Sequence, residues 1–169
     1  MNDEQILKLL KDFSEKLPKF KDGRIDYSNS NEAPVITIFV RYQDKILLLK
    51  RSEKVGTYKN KWNAIAGYLD EVRLIKDKIL EELREEIGVD EKNIKFIEVK
   101  DPYKSIDNKI NKTWIIHPVL VELNKKPEIK LDWEHTEFKW INPEDLKGYD
   151  FVKDLDKTLK RVLFHLNFK

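Results

Sequence analysis

Gly67-Tyr68-Leu69-Asp70-Glu71-Val72-Arg73, then Leu74 to Leu80, then Glu81-Glu82-Leu83-Arg84-Glu85-Glu86-Ile87-Gly88-Val89 form one continuous stretch. Its second half reads as a helix from about Lys76 to Ile87, with Gly88 as the C-terminal stop. At about 100° per residue, Ile79, Leu80, Leu83 and Ile87 share one arc and make a buried stripe. Glu82, Glu85 and Glu86 fall on the adjoining arc, where positions three and four apart are surface neighbours. Like charges packed so closely repel, and a solvated charged face is the ordinary outcome. A hard divalent cation reverses the sign, because Mg2+ and Mn2+ prefer carboxylate oxygens.

The complete pattern is more telling than the charges alone. Gly67, Glu82, Leu83, Glu85, Glu86, Gly88 and Val89 stand at the spacing of the Nudix box, and the stretch resembles that signature of Nudix hydrolases. The resemblance extends upstream through Arg51-Ser52-Glu53-Lys54-Val55-Gly56-Thr57-Tyr58 and Trp62-Asn63-Ala64-Ile65-Ala66, covering about Pro34 to Val89. Two positions depart from the family pattern together: Arg73 stands where the loop glutamate belongs, and Glu81 where the helix arginine belongs. In the family that pair commonly bridges loop to helix. With the charges exchanged, Arg73 and Glu81 are expected to form the bridge in reverse polarity. The alternatives are a box relaxed after loss of catalysis, or Asp70 or Glu71 supplying the loop acid.

Composition sets the bounds. A chain of 169 residues is expected to form one globular unit with a sizeable core. It divides into an N-terminal helix and linker (1–32) and a domain over 33–169. Charged residues reach 38%, yet 33 basic and 31 acidic groups leave only +2 net, which gives no case for a nucleic-acid partner. Cysteine is absent, which excludes disulfides, a thiolate nucleophile and a zinc-thiolate site. No apolar run approaches membrane-spanning length, and a cytoplasmic location is the default expectation.

Along the chain, Ile6, Leu9, Leu10, Phe13 and Leu17 predict an amphipathic helix. It is read as a packing lid on the core, with a homodimer contact as the sharper alternative. Lys19 to Glu32 reads as a polar linker. Pro34–Tyr42 and Lys45–Arg51 form a hairpin, and the near-continuous run Val35 to Val40 suggests strands covered on both faces. Ile94–Val99 and about Lys112 to Leu123 are further strands, with Pro118 expected to mark an edge or bulge. His117 is read as a core residue. Asp132 to Ile141 leads into Asn142-Pro143, an N-cap with proline at the first helical position. A last helix spans about Val152 to Leu166. These elements predict an α/β fold with a mixed sheet, and the resemblance narrows it to the Nudix-type α/β/α sandwich with a loop-helix-loop metal site.

The resemblance also implies the chemistry. Glu82, Glu86 and Glu85 are expected to bind Mg2+ or Mn2+, joined by the backbone carbonyl of Ala66. Glu85 is the first candidate for general base, with Glu134 and Glu137 second. Arg51 and Lys61 flank the segment leading into the box and are the candidate contacts for a polyphosphate. Tyr58, Tyr103, Trp114, Trp133 and Trp140 are candidates for stacking on a base. The implied activity is hydrolysis of the pyrophosphate bond of a nucleoside diphosphate linked to another moiety. The alternative is a nucleotide-sensing module that does not cleave. A third reading, isomerase chemistry that relies on an active-site cysteine, fails because the chain has none.

Overall fold

The computed structural model describes residues 1–164, so the expected place of Leu166 on the last helix lies outside the described residues. Eight strands and three α-helices follow in the order α1 (Asp3–Lys16), β1 (Glu32–Tyr42), β2 (Lys45–Arg51), β3 (Trp62–Asn63), β4 (Ile65–Tyr68), α2 (Ile75–Ile87), β5 (Ile94–Val99), β6 (Tyr103–Asp107), β7 (Lys112–Leu123), β8 (His135–Ile141) and α3 (Leu155–Leu163).

The sheet runs β3-β2-β1-β7-β5, with β4 on β1, β6 on β7 and β8 on β2. β1 and β7 pair in parallel and the other pairs are antiparallel, so the sheet is mixed. Strand alternation sends Ile36, Ile38, Val40, Leu47, Leu49, Val119 and Val121 into one core with Ile6 and Leu10 of α1 and Ile79, Leu83 and Ile87 of α2. Phe39, Ile46, Leu48 and Leu120 point the other way, into a second core under Leu155, Leu159, Val162 and Leu163 of α3. Covering both faces explains the unbroken apolar runs in β1 and β2. The result is an α/β/α sandwich.

Three features differ from the sequence expectations. Pro118 lies at no edge: β7 pairs through Ile116 with Tyr103 of β6 and through Val119 with Val99 of β5. The proline thus sits where β7 changes its antiparallel partner. There its missing N–H leaves no ladder bond unmade, and its carbonyl accepts from Lys100 N–H at 2.8 Å. Strand β6, Tyr103–Asp107, forms where the sequence predicts no strand. The stretch Lys19–Glu32 is packed rather than a free linker, since Ile25 and Tyr27 are buried against Ala33, Phe13 and Trp114.

Candidate active site

β4 is held antiparallel to β1 with Thr37 opposite Ala66 and Ile36 opposite Gly67. The chain then turns through Leu69–Leu74 into α2. Two upstream contacts fix that turn: Tyr27 Oη donates to the Leu69 carbonyl at 2.8 Å, and Ile25 N–H donates to the Asp70 carbonyl at 2.7 Å. α2 ends as its sequence predicts, with Gly88 at φ 70° and its N–H on the Arg84 carbonyl.

The helix buries more than its apolar stripe. Lys78, Glu82 and Glu86 lie one turn apart along the flank facing β4, and Glu82 is 8% and Glu86 3% exposed. Glu85 is exposed at the rim. Gly67 is needed here, because a Cβ at this position would overlap Glu82 Oε1 and Cδ. Burial raises the pKa of Glu82, against the pull of Lys78. Burial, followed by the Glu82 charge, pushes Glu86 well above the carboxylate range. Glu86 Oε2 has no hydrogen-bond partner among the described residues; the nearest base is His135 Nε2 at 3.7 Å, on an imidazole whose Nδ1 contacts Asp132 Oδ1 at 3.1 Å.

Gly67, Lys78, Glu82 and Glu85 border a cleft of about 400 Å³. Its floor is Thr37, Asn63, Ala66 and Gly67, and Glu82, Glu85 and Glu134 form its acidic side. Burial raises Glu134, with help from Asp132 and Glu82, while Arg51 opposes. Arg51 enters the cleft with its Nε donating to the Thr57 carbonyl at 3.0 Å, and burial lowers its pKa against the attraction of Glu134 and Glu86. The opposite wall is aromatic. Tyr68 stacks on Tyr27 at 5.7 Å and leans on Trp114 at 5.9 Å, and Trp114 Nε1 donates to Tyr58 Oη at 3.1 Å. Trp133 stands at the mouth, 60% exposed.

The structure therefore gathers Glu82, Glu85, Ala66, Arg51, Glu134, Tyr58, Trp114 and Trp133 around one cleft, with Glu86 buried behind it. It places the others elsewhere. Lys61 does not line the cleft: the backbone bridge between Trp62 and Phe151 sets it beside Asp150, whose Oδ1 takes its ammonium at 2.6 Å. Glu137 faces out and pairs with Lys50 at 2.8 Å. Tyr103 Oη lies 2.7 Å from Thr158 Oγ1, and Trp140 packs on the α1–α2 core. His117 is fully buried in the sheet. Arg73 Nη2 meets Glu81 Oε2 and also Glu71 Oε2 at 2.9 Å.

Sequence reasoning missed Lys78, Arg24 and the stacking face of Tyr68, all of which line the cleft. Lys78 carried a signal, since it stands four residues before Glu82 on a helix. Arg24 carried none, because its contact with Asp70 Oδ2 at 3.5 Å spans 46 residues.

The donor set suits a hard cation: two buried carboxylates with an orphaned oxygen, and a third at the rim. Among the described residues no three His, Asp or Glu side chains already converge to hold one. The ammonium of Lys78, 2.7 Å from Glu82 Oε1, is the cation at that point.

Comparison with known proteins agrees with this fold. The nucleoside triphosphatase NudI of Escherichia coli is 23% identical over 135 residues, covering 75% of this chain and 93% of that protein. The NUDIX domain of Shewanella oneidensis NrtR, solved with ADP ribose, shares the fold at a TM-score of 0.68 and 14% identity, over 80% of this chain and 89% of that one. A bifunctional NMN adenylyltransferase/ADP ribose pyrophosphatase from Francisella tularensis, solved with AMP and a Mn ion, aligns at a TM-score of 0.62 and 21% identity, over 96% of this chain and 46% of that one. The NUDIX domain family profile matches residues 31–164, so the chain belongs to the NUDIX family and is a Nudix hydrolase.

Proposed function

We propose that the chain hydrolyses the pyrophosphate bond of a nucleoside diphosphate linked to another moiety, with Mg2+ or Mn2+ held by Glu82, Glu85 and Glu86 and by the Ala66 carbonyl. One observation carries this reading. The Glu82 carboxylate fills the space that Gly67 leaves, with the unpartnered Glu86 Oε2 buried behind it. Buried carboxylates are costly without a cation, and hard oxygen donors suit a hard one. When bound, such an ion neutralises phosphate oxygens and lowers the pKa of a coordinated water.

The residues of the chain do the rest. Glu82 and Glu86 are fixed by a packed helix, which sets their oxygens before substrate arrives. Glu85, at the rim, takes the proton of the attacking water at its carboxylate, and Glu134 on the same acidic side of the cleft is the second candidate. Arg51 spends its Nε on Thr57, which leaves the terminal nitrogens for phosphate oxygens. Tyr68 and Trp114 offer ring faces to a base. The names of the relatives, a triphosphatase and an ADP ribose complex, support a nucleotide substrate.

The test is nucleotide or phosphate release from a substrate panel with Mg2+ or Mn2+ and then with chelator, alongside Glu82→Gln and Glu86→Gln. Ion-dependent turnover is expected, with each substitution lowering it at least about a hundredfold. Nucleotide binding without turnover across a broad panel would replace this reading with the sensing module.

A further inference from the structure

We propose that Lys78 is a tethered counter-ion that occupies the divalent-ion position through Glu82, and that Asp70 is the seat its ammonium takes when an ion enters. The inference rests on the reading of Glu82 as an ion ligand.

Lys78 projects from α2 with its side chain only 10% exposed. Its Nζ lies 2.7 Å from Glu82 Oε1, 3.4 Å from Glu81 Oε2 and 3.8 Å from Asp70 Oδ1. A buried ammonium needs an anionic partner, and Glu82 supplies it. The oxygen it uses is the one set over Gly67 on the floor of the cleft. An ammonium and a divalent ion on that same oxygen repel, so an entering ion pushes the ammonium toward another acceptor.

The structure also contains a destination. Asp70 Oδ1 is buried and has no hydrogen-bond partner among the described residues, while the other carboxylate oxygen of Asp70 faces Arg24. A shift of about 1 Å would bring the ammonium within bonding range of that orphaned acceptor. Glu81 Oε2 flanks the path, so the charge stays partnered throughout. The flexible four-carbon stem of lysine permits such a move, whereas the planar fork of arginine would not. Lys78 therefore acts as a positioning residue: it keeps Glu82 ordered without an ion and sets how tightly an ion must bind to displace it.

The test is Mn2+ titrated into the metal-free full-length protein without substrate, following the loss of the free-ion electron paramagnetic resonance signal. Lys78→Met is expected to tighten Mn2+ binding about tenfold, the scale on which residues behind the ligands tune a site. Asp70→Asn, which removes the second seat, is expected to weaken it severalfold, and to have no effect once Lys78→Met is present. Lys78→Gln, which keeps a polar end, gives the same direction if Lys78→Met folds poorly. Unchanged or weaker Mn2+ binding in both lysine variants would overturn the proposal, as would an Asp70→Asn effect that persists without the lysine. If the wild type and Glu82→Gln bind Mn2+ alike, the ion site itself is wrong and the proposal falls with it; a loss confined to Glu82→Gln keeps the two failures apart.

Discussion

Arg73 reaches from the turn before α2 to the Glu81 carboxylate on its second turn, so the loop carries the cation and the helix the anion. Burial disfavours a charged Glu81, yet the Arg73 hydrogen bond and the nearby Lys78 hold its pKa below the ordinary value. Arg73→Glu should lower stability by about 1 kcal/mol, the upper range for a part-exposed pair. Arg73→Glu with Glu81→Arg should recover most of it, read from thermal melting of both singles and the double. Strictly additive losses would mean the two side chains touch without coupling.

Gly67→Ala separates fold from function. The added methyl meets the far end of the Glu82 side chain rather than backbone, so the helix can stay and the carboxylate must turn. Stability should fall by about 1–3 kcal/mol, the usual cost of an added methyl in a filled site. Turnover should drop at least about tenfold, since displaced reacting groups are costly.

The buried glutamates set a pH dependence. Glu86 is raised well above 4.5 in the folded chain, so its contribution to stability is full below pH 4.5 and is lost as pH rises through the folded value. Glu86→Gln should therefore stabilise the metal-free protein at pH 7.5 and change little at pH 4. Melting curves at the two pH values in chelator decide it. A destabilised variant at both would show that the carboxylate is needed for packing.

Tyr68→Ala tests the aromatic wall. Loss of a stacking face under a base is worth about 1–3 kcal/mol, so KM should rise roughly tenfold or more while kcat holds. An unchanged KM would move the base to Trp133 at the mouth.

Glu85→Gln and Glu134→Gln, compared at saturating Mg2+, assign the proton acceptor. The first should cut kcat about a hundredfold or more, as expected for a lost general base. A larger effect from Glu134→Gln would reverse the order.

What could be read from sequence was what local spacing encodes. The helical period placed Ile79, Leu83 and Ile87 inward and Glu82 and Glu86 beside them, and the near-continuous apolar run Val35 to Val40 pointed to the two-sided burial of β1. What escaped depended on contacts distant in sequence. Tyr103-Lys104-Ser105-Ile106-Asp107 has too many polar residues to resemble a strand, and becomes one because β7 offers it an edge. Lys61 and Glu137 looked equivalent to Arg51 and Glu134 in the chain, but strand pairing gave each an outward partner. Arg24 reached the cleft only through a fold no local pattern describes.

The brace beneath the turn before α2 bears on how the protein can be handled. The family match begins at residue 31, yet Ile25 and Tyr27 hold the carbonyls of Asp70 and Leu69. A shortened form cut at the start of the matched region would lose the buried Ile6 and Leu10 of α1 from the α2 core, and would also leave the turn beside the cleft without its brace. Such a form should show accelerated amide exchange at Leu69–Leu74, and an assay on it would report the properties of a loosened turn rather than those of the full chain.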